Sequence, residues 1–544
     1  MPIPYQGPLF VGSSSAVQRT DSTPRSLNPR RLDIILDLEL EYGVHAKRRN
    51  YCNWVDCGVF YSSISTWSVP SGASEVGGAS GGQVGKYVFE DLSICAIMIA
   101  KIIDIFRIIC YSNSTMSRKA TIQKFICGEW VTIGQFESKG SSHQTAAYFE
   151  YDMDYAVTHI AEECPYARAG LRYPVNFELY KENNWPAFLL DLMPSGAGRR
   201  VWARRLGIKD DYSYDMELLL NGAGNAPGNI RILEAAIPPN SSLHPGFSQE
   251  EVISRKADFI EYAEEKGAIV AGATDVAGDA PKYMLVRDKN QRWHPDGALH
   301  EDEILDCWLV KFPRGKQNGD YTVLRNEAPY YEVARAFGLR VGKPLLFIDD
   351  CLFIPRFDRE PGTTFIRHGL ETIASAMGKA EYGFTVSHRE VLEVIATYAT
   401  DPQLEMNEYL CREVLNAALR NTDNHARNTA FLKTTDGRVG LSPLYDFAPM
   451  FLDPEGVART TKWGREVEKS VGEPDWIAVC RMLESLYPGI KDLAECLFAL
   501  AGPVHDLPVQ MVNCGVEADV IDGVALRCIR ISEGLYKLGK EFSL

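Results

Sequence analysis

Residues 421–448 read Asn421-Thr-Asp-Asn-His-Ala-Arg-Asn428, then Thr429-Ala-Phe-Leu-Lys-Thr-Thr-Asp-Gly-Arg-Val-Gly-Leu-Ser442, then Pro443-Leu-Tyr-Asp-Phe-Ala448. Upstream, Leu410, Val414 and Ala418, with Leu415 and Leu419, recur at four-residue spacing, so 404–419 is predicted to be a helix with one buried face. That helix delivers the chain directly to Asn421. Thr429 to Lys433, a turn at Thr435-Asp436-Gly437, and Arg438 to Leu441 predict a hairpin that carries it on to Asp446.

Phosphoryl transfer needs a carboxylate to orient and deprotonate the attacking hydroxyl, and hard oxygen ligands for a divalent metal. Asp423, five positions before Asn428, fits the first role; Asn428 and Asp446 fit the second. Their order and spacing match the catalytic loop and magnesium-binding Asp of kinase-type phosphotransferases. Between them His425 and Arg427 either hold the loop in shape or touch phosphate. An Asx-rich turn capping a helix also accounts for the eight-residue string taken alone, because Asn and Asp favour turns for local reasons.

Such chemistry requires a cation on a central strand. Trp308-Leu-Val-Lys-Phe312 is a short apolar strand carrying one charge, Lys311, and a Lys there is costly unless paired or bound to an anion. Glu327, in a helix-like segment over 326–337, is the nearest partner; the alternative is a Lys snorkelling from a sheet edge. Strands are also predicted at 283–287, 345–349 and 351–355. The small-residue loop Ala271-Gly-Ala-Thr-Asp-Val-Ala-Gly-Asp-Ala-Pro-Lys282 lets backbone N–H groups approach phosphate, although it matches neither a Walker pattern nor GxGxxG. Arg356-Phe-Asp-Arg359 reads either as a solvated turn or as the junction where a nucleotide base would bond to backbone.

The chain has 544 residues and a formal net charge of −15, which argues against a broad nucleic-acid footprint. Its 13 cysteines contain no CxxC pair, so reduced thiols in a cytoplasmic protein are expected. The apolar run 94–110 carries Lys101, Asp104 and Arg107, which disfavours a membrane span. Residues 1–115 show no sustained period and are rich in Ser, Pro and Gly, so they are expected to be disordered or outside the functional protein. Met116 fits a functional start, the residues before it being either a translated leader or a real but flexible extension.

Together these pieces resemble the HipA family of serine/threonine kinases, the toxin partners of bacterial type II toxin–antitoxin pairs. Leu190-Asp-Leu-Met-Pro-Ser-Gly196 with Arg199, and Leu219-Leu-Asn-Gly-Ala-Gly224, resemble its N-terminal subdomain. Leu309-Val-Lys-Phe312, Glu327 with Tyr331, Arg356-Phe-Asp-Arg359, Asn421–Asn428 and Pro443-Leu-Tyr-Asp446 resemble its kinase core. The resemblance implies an α+β, two-lobed protein-kinase-like fold: an N-terminal subdomain over 116–243, a strand-rich nucleotide lobe over 244–358 and a mainly helical catalytic lobe over 359–544. It implies Asp423 as catalytic base, Asn428 and Asp446 as Mg2+ ligands, and Lys311 on the ATP phosphates, with Gly278, Lys282 and His425 beside the nucleotide. Backbone near Pro355 and Phe357 would meet adenine, and Asp358 the ribose.

One departure concerns regulation. The family commonly carries a Ser three residues before the loop Gly, whose autophosphorylation silences the enzyme; here that position is Asp275, beside Thr274. Thr274 takes the phosphate, or the switch is absent, or a fixed negative charge imitates it. The family implies a protein substrate, with a translation component such as an aminoacyl-tRNA synthetase as the target class. It also implies restraint by a small helix-turn-helix antitoxin, without direct sequence-specific nucleic-acid or membrane binding. Two further readings are a catalytically weak nucleotide-binding regulator acting through a DNA-bound antitoxin, and a metal-dependent hydrolase built on His425.

Overall fold

The computed structural model describes residues 32–39, 45–52 and 119–544, apart from 162–163, 269, 271, 276–279 and 471. Backbone contacts divide the chain into two units, Met1–Lys101 and Ile102–Leu544. In the first, strands Leu32–Glu39 and His45–Cys52 pair antiparallel. There Asp33, Asp37 and Glu39 share one register and Leu32, Ile34, Leu36 and Leu38 the other, the period of two of a strand, which Ile35 breaks. The rest of 1–115, with the apolar run 94–110, lies outside the described residues.

The second unit opens on a five-stranded sheet in the order Tyr180–Glu182, Ala147–Tyr151, Glu129–Ser138, Lys119–Ile126, Ile230–Ile232. Its central hairpin, Lys119–Ile126 with Glu129–Ser138, turns at Cys127-Gly128. Cys127 and Gly128 both have positive φ, 51° and 92°, as a two-residue hairpin turn matching strand twist demands. Ile122, Phe136, Phe149 and Leu189 are fully buried beneath this sheet.

A second antiparallel sheet follows in the order Leu346–Ile348, β3 (Cys351–Pro355), β2 (Ile304–Lys311), β1 (Lys282–Asp288), Trp293–Pro295. All four expected strands are there. The fifth, three residues long, is too short to show a period. Strand β2 is central, so the end carrying Lys311 lies between Lys282 of β1 and Leu352 of β3. Helix α1 (Asn318–Ala336) then crosses to the helical part. It begins eight residues earlier than the apolar pattern predicts, because its first turns are polar and start from a reciprocal cap in which Asp320 accepts from the Gln317 N–H at 2.9 Å.

Helix α2 (Pro402–Ala418) matches its predicted span, with Asp401 capping its start by accepting from the Leu404 N–H. Leu410, Val414, Leu415, Ala418 and Leu419 are fully buried. The predicted hairpin, Ala430–Lys433 with Val439–Leu441, gains a third strand, Gly369–Thr372, in a stretch whose sequence reads mainly as helix. Beyond 475 the chain forms five α-helices, with Leu500 and Asp506 interrupting what reads as continuous helical period. The whole is an α+β, two-lobed kinase-like fold, strand-rich first and mainly helical afterwards. Among the described residues no helix is long and apolar enough to cross a membrane.

Candidate active site

Lys311 ends β2 pointing into a buried cluster of carboxylates. Its Nζ donates to Glu327 Oε2 at 2.7 Å and to Asp446 Oδ1 at 2.6 Å. Burial opposes the ammonium charge, but the two carboxylates outweigh it and hold the Lys311 pKa well above its usual value. Glu327 is completely buried in α1, and burial pushes its carboxyl up against the pull of Lys311. The snorkelling alternative for Lys311 is therefore excluded. Lys282, directly opposite Lys311 in the ladder, adds a second cation; burial lowers its pKa while Asp446 supports its charge.

The loop from Asn421 to Asn428 hangs from α2. Asn421 Nδ2 donates to Asn416 Oδ1 at 3.0 Å, and Asn424 Nδ2 to Glu413 Oε2 at 2.7 Å. These asparagines shape the loop, as the Asx reading holds, and leave the chemistry to their neighbours. Asn428 Nδ2 donates back to the Asp423 carbonyl at 2.9 Å, which folds the loop on itself and brings its two functional ends together. Burial and the charge of Asp446 push the Asp423 pKa up to about 7, the range suited to a general base. His425 Nδ1 accepts from the Arg427 N–H at 3.2 Å, so its proton sits on Nε2, 3.5 Å from Asp423 Oδ1. Burial keeps this imidazole neutral by lowering its pKa.

Asp446 is held in the left-handed region at φ 55°, and Arg420, just before the loop, at φ 56°. Strained backbone of this kind gathers at functional sites. Burial disfavours the Asp446 charge, yet Lys311 and Lys282 hold its carboxyl well below the usual range. Asp446 and Asn428 each carry a hard oxygen of the kind that could hold Mg2+. Tyr445 donates from its hydroxyl to the Arg427 carbonyl at 2.7 Å and its ring lies 6.1 Å from that of Phe357, so Phe357 is brought to the edge of this group.

Pro355 ends β3 opposite Trp308. Asp358 is buried and its carboxylate is taken by Arg356 at 2.6 and 2.9 Å, Arg359 at 3.1 Å and the Gly228 N–H at 2.8 Å, which makes it a structural anion. Gly278 lies outside the described residues. Asp275 turns inward: it accepts from Trp202 Nε1 and the Asn225 N–H, both at 3.1 Å, and burial pushes its pKa up to about 8. Burial thus favours its neutral form near pH 7. Thr274 is buried with its hydroxyl unpartnered.

Two fastenings escape a sequence reading: the partners of Arg427 and those of Arg314. Arg427 points away from the lysines: its guanidinium donates to Asp191 Oδ1 at 3.1 Å and to the carbonyls of Lys379 and Glu381, over the ring of Tyr382. Arg314, just past β2, reaches Asp453 at 3.1 Å and Glu455, tying the loop after the Lys311 strand to the segment after Asp446. Both contacts are long-range and leave no local spacing to detect.

Comparison with known proteins bears on the same elements. Residues 127–233 match the HipA N-terminal domain and residues 274–494 the HipA-like C-terminal domain. The structure resembles that of HipA from Shewanella oneidensis MR-1, solved with HipB and operator DNA, at 16% identity and a TM-score of 0.52, covering 78% of this chain and 99% of that one. A proinflammatory kinase from Helicobacter pylori, CtkA, also matches, at 15% identity and a TM-score of 0.30 over 44% of this chain and 89% of that one. No curated protein sequence matches the chain. At such identities the structural likeness speaks to fold, and it agrees with two domain matches that follow each other in family order: the chain belongs to the HipA family.

Proposed function

We propose that the protein is an ATP- and Mg2+-dependent protein serine/threonine kinase of the HipA toxin type. The observation that carries this reading is the grouping of Lys311, Glu327 and Asp446 with a folded-back loop whose Asp423 is poised near neutral pKa. In the reaction a protein hydroxyl attacks the γ-phosphorus in line. The new O–P bond forms as the bond to the β,γ-bridging oxygen breaks, ADP leaves, and Asp423 takes the hydroxyl proton. Lys311 and Lys282 bind and orient the phosphates. Mg2+ held by Asn428 and Asp446 would neutralise triphosphate charge, which supplies much of the electrostatic stabilisation in this chemistry.

The proposed acceptor is a cytoplasmic protein of the translation apparatus. The Shewanella relative is a toxin solved with HipB and operator DNA, which supports a small DNA-bound antitoxin as partner here. Incubation with labelled ATP and magnesium tests the activity. The wild type should label itself or a lysate protein and Asp423→Asn should not; absence of label with both overturns the reading. A second reading, a nucleotide-binding regulator of weak activity, is favoured by Asp275, which fastens the start of the nucleotide loop to Trp202 and Asn225. ATP binding without transfer would establish it.

A further inference from the structure

We propose that Asp191 is a positioning residue for phosphoryl transfer, acting from the N-terminal subdomain by holding Arg427 and, through it, the loop that carries Asp423 and Asn428. This rests on the kinase reading above. Asp191 lies in the short helix Phe188–Leu192. Its Oδ1 accepts from Arg427 Nη1 at 3.1 Å and from the Thr372 hydroxyl at 2.8 Å; its Oδ2 accepts from the Thr372 N–H at 2.9 Å. One carboxylate therefore fastens the catalytic loop itself, through Arg427, and the strand beside it, through Thr372. Thr372 pairs with Ala430, just beyond Asn428, and the next two residues after it donate to the Thr429 and Ala426 carbonyls at 2.9 and 3.1 Å.

Arg427 is the only residue of the loop whose charge is spent on this contact. It stands between His425, whose Nδ1 its N–H fixes, and Asn428, while its carbonyl accepts from Tyr445, the neighbour of Asp446. Displacing the guanidinium would thus move the base and both proposed metal ligands together. A planar guanidinium bonded at once to a carboxylate and to two carbonyls leaves little rotational freedom, which suits a group that sets geometry. The phosphate seat at Lys311 and Lys282 belongs to other elements and should be undisturbed.

The test pairs kinetics with amide hydrogen exchange on the full chain. Asp191→Asn and Asp191→Ala should lower kcat about 100-fold, the scale of an ångström-sized misplacement of reacting groups, with KM for ATP within about twofold. Exchange at 423–428 should speed up while that in α2 stays slow. The double variant Asp191→Ala/Arg427→Ala should lose no more kcat than the worse single variant. If Asp191→Ala unfolds, the nearly isosteric Asp191→Asn carries the measurement. Unchanged loop exchange, or unchanged kcat with a loosened loop, overturns the proposal. A wild type that transfers no label removes the kinase reading instead, and loop exchange still reports whether Asp191 holds the loop.

Discussion

The Nζ of Lys311 and the Oδ1 of Asp446 stand 2.6 Å apart although 135 positions separate the two residues. With Glu327 at 2.7 Å on the other side, one ammonium neutralises two carboxylates that burial would otherwise disfavour. Removing one partner of such a group leaves charge uncompensated, so Lys311→Met should lower stability by about 3 kcal/mol at pH 7 in urea unfolding. The loss should shrink near pH 4, where Glu327, already raised in pKa, takes up a proton instead. An unchanged unfolding midpoint at pH 7 would show that the cluster is not coupled to the fold.

Asp275 offers a separate pH dependence. Its pKa in the folded protein is about 8, against ~3.9 for an unfolded Asp. The protonated form favours folding, so the contribution is fully present below the unfolded value and is lost as pH rises through the folded one. Between pH 5 and 7 the wild type should lose about 1.4 kcal/mol more per pH unit than Asp275→Asn, which cannot ionise. Parallel stability profiles for the two proteins would mean that Asp275 is ionised in the fold.

What could be read from sequence is local. Asp423 and Asn428 lie on one loop, and the helix and hairpin flanking it carry periods that survive without context, so the loop and its place in the fold were legible. Lys311 was legible for a different reason, an isolated charge in an apolar strand. The fastening of the loop was not, because Glu413 and Asn416 read as polar positions of an amphipathic helix and Asp191 lies 236 positions from Arg427. Asp358 shows the converse. The family resemblance implies a ribose contact for it, but the fold surrounds it with Arg356, Arg359 and the Gly228 N–H.

That surrounding leads to a third prediction. Asp358→Ala would strand Arg356 and Arg359 in the interior, with Asp296 left to pair with Arg356 alone. A loss of about 3–5 kcal/mol is the usual consequence of breaking a buried pair from one side. Asp358→Asn, which keeps the shape, should lose less and leave KM for ATP within about twofold, since every contact of the carboxylate is internal. A large rise in KM with an unchanged melting temperature would return Asp358 to the ribose.

The metal should bind with the nucleotide and not before it. Among the described residues no three His, Cys, Asp or Glu side chains come together as a metal site, and Asn428 with Asp446 supplies only two protein groups. Mg2+ prefers six oxygens in near-octahedral array and commonly takes the remainder from phosphates and water. Asp446, moreover, is engaged by Lys311 in the ligand-free protein, so a lone cation must compete with an ammonium already in place. Titration calorimetry should therefore show no saturable Mg2+ binding by the protein alone, and clear binding once a non-hydrolysable ATP analogue is present. Asp446→Asn should raise the half-saturating Mg2+ concentration for label transfer by about tenfold or more, the scale of losing a charged ligand, and Asn428→Ala by less. A chelator should abolish transfer while leaving the melting temperature where it was, because the cluster around Lys311 is complete without the metal. Tight binding of Mg2+ to the nucleotide-free protein, or a fall in melting temperature on chelation, would place the metal in the fold and not in the reaction.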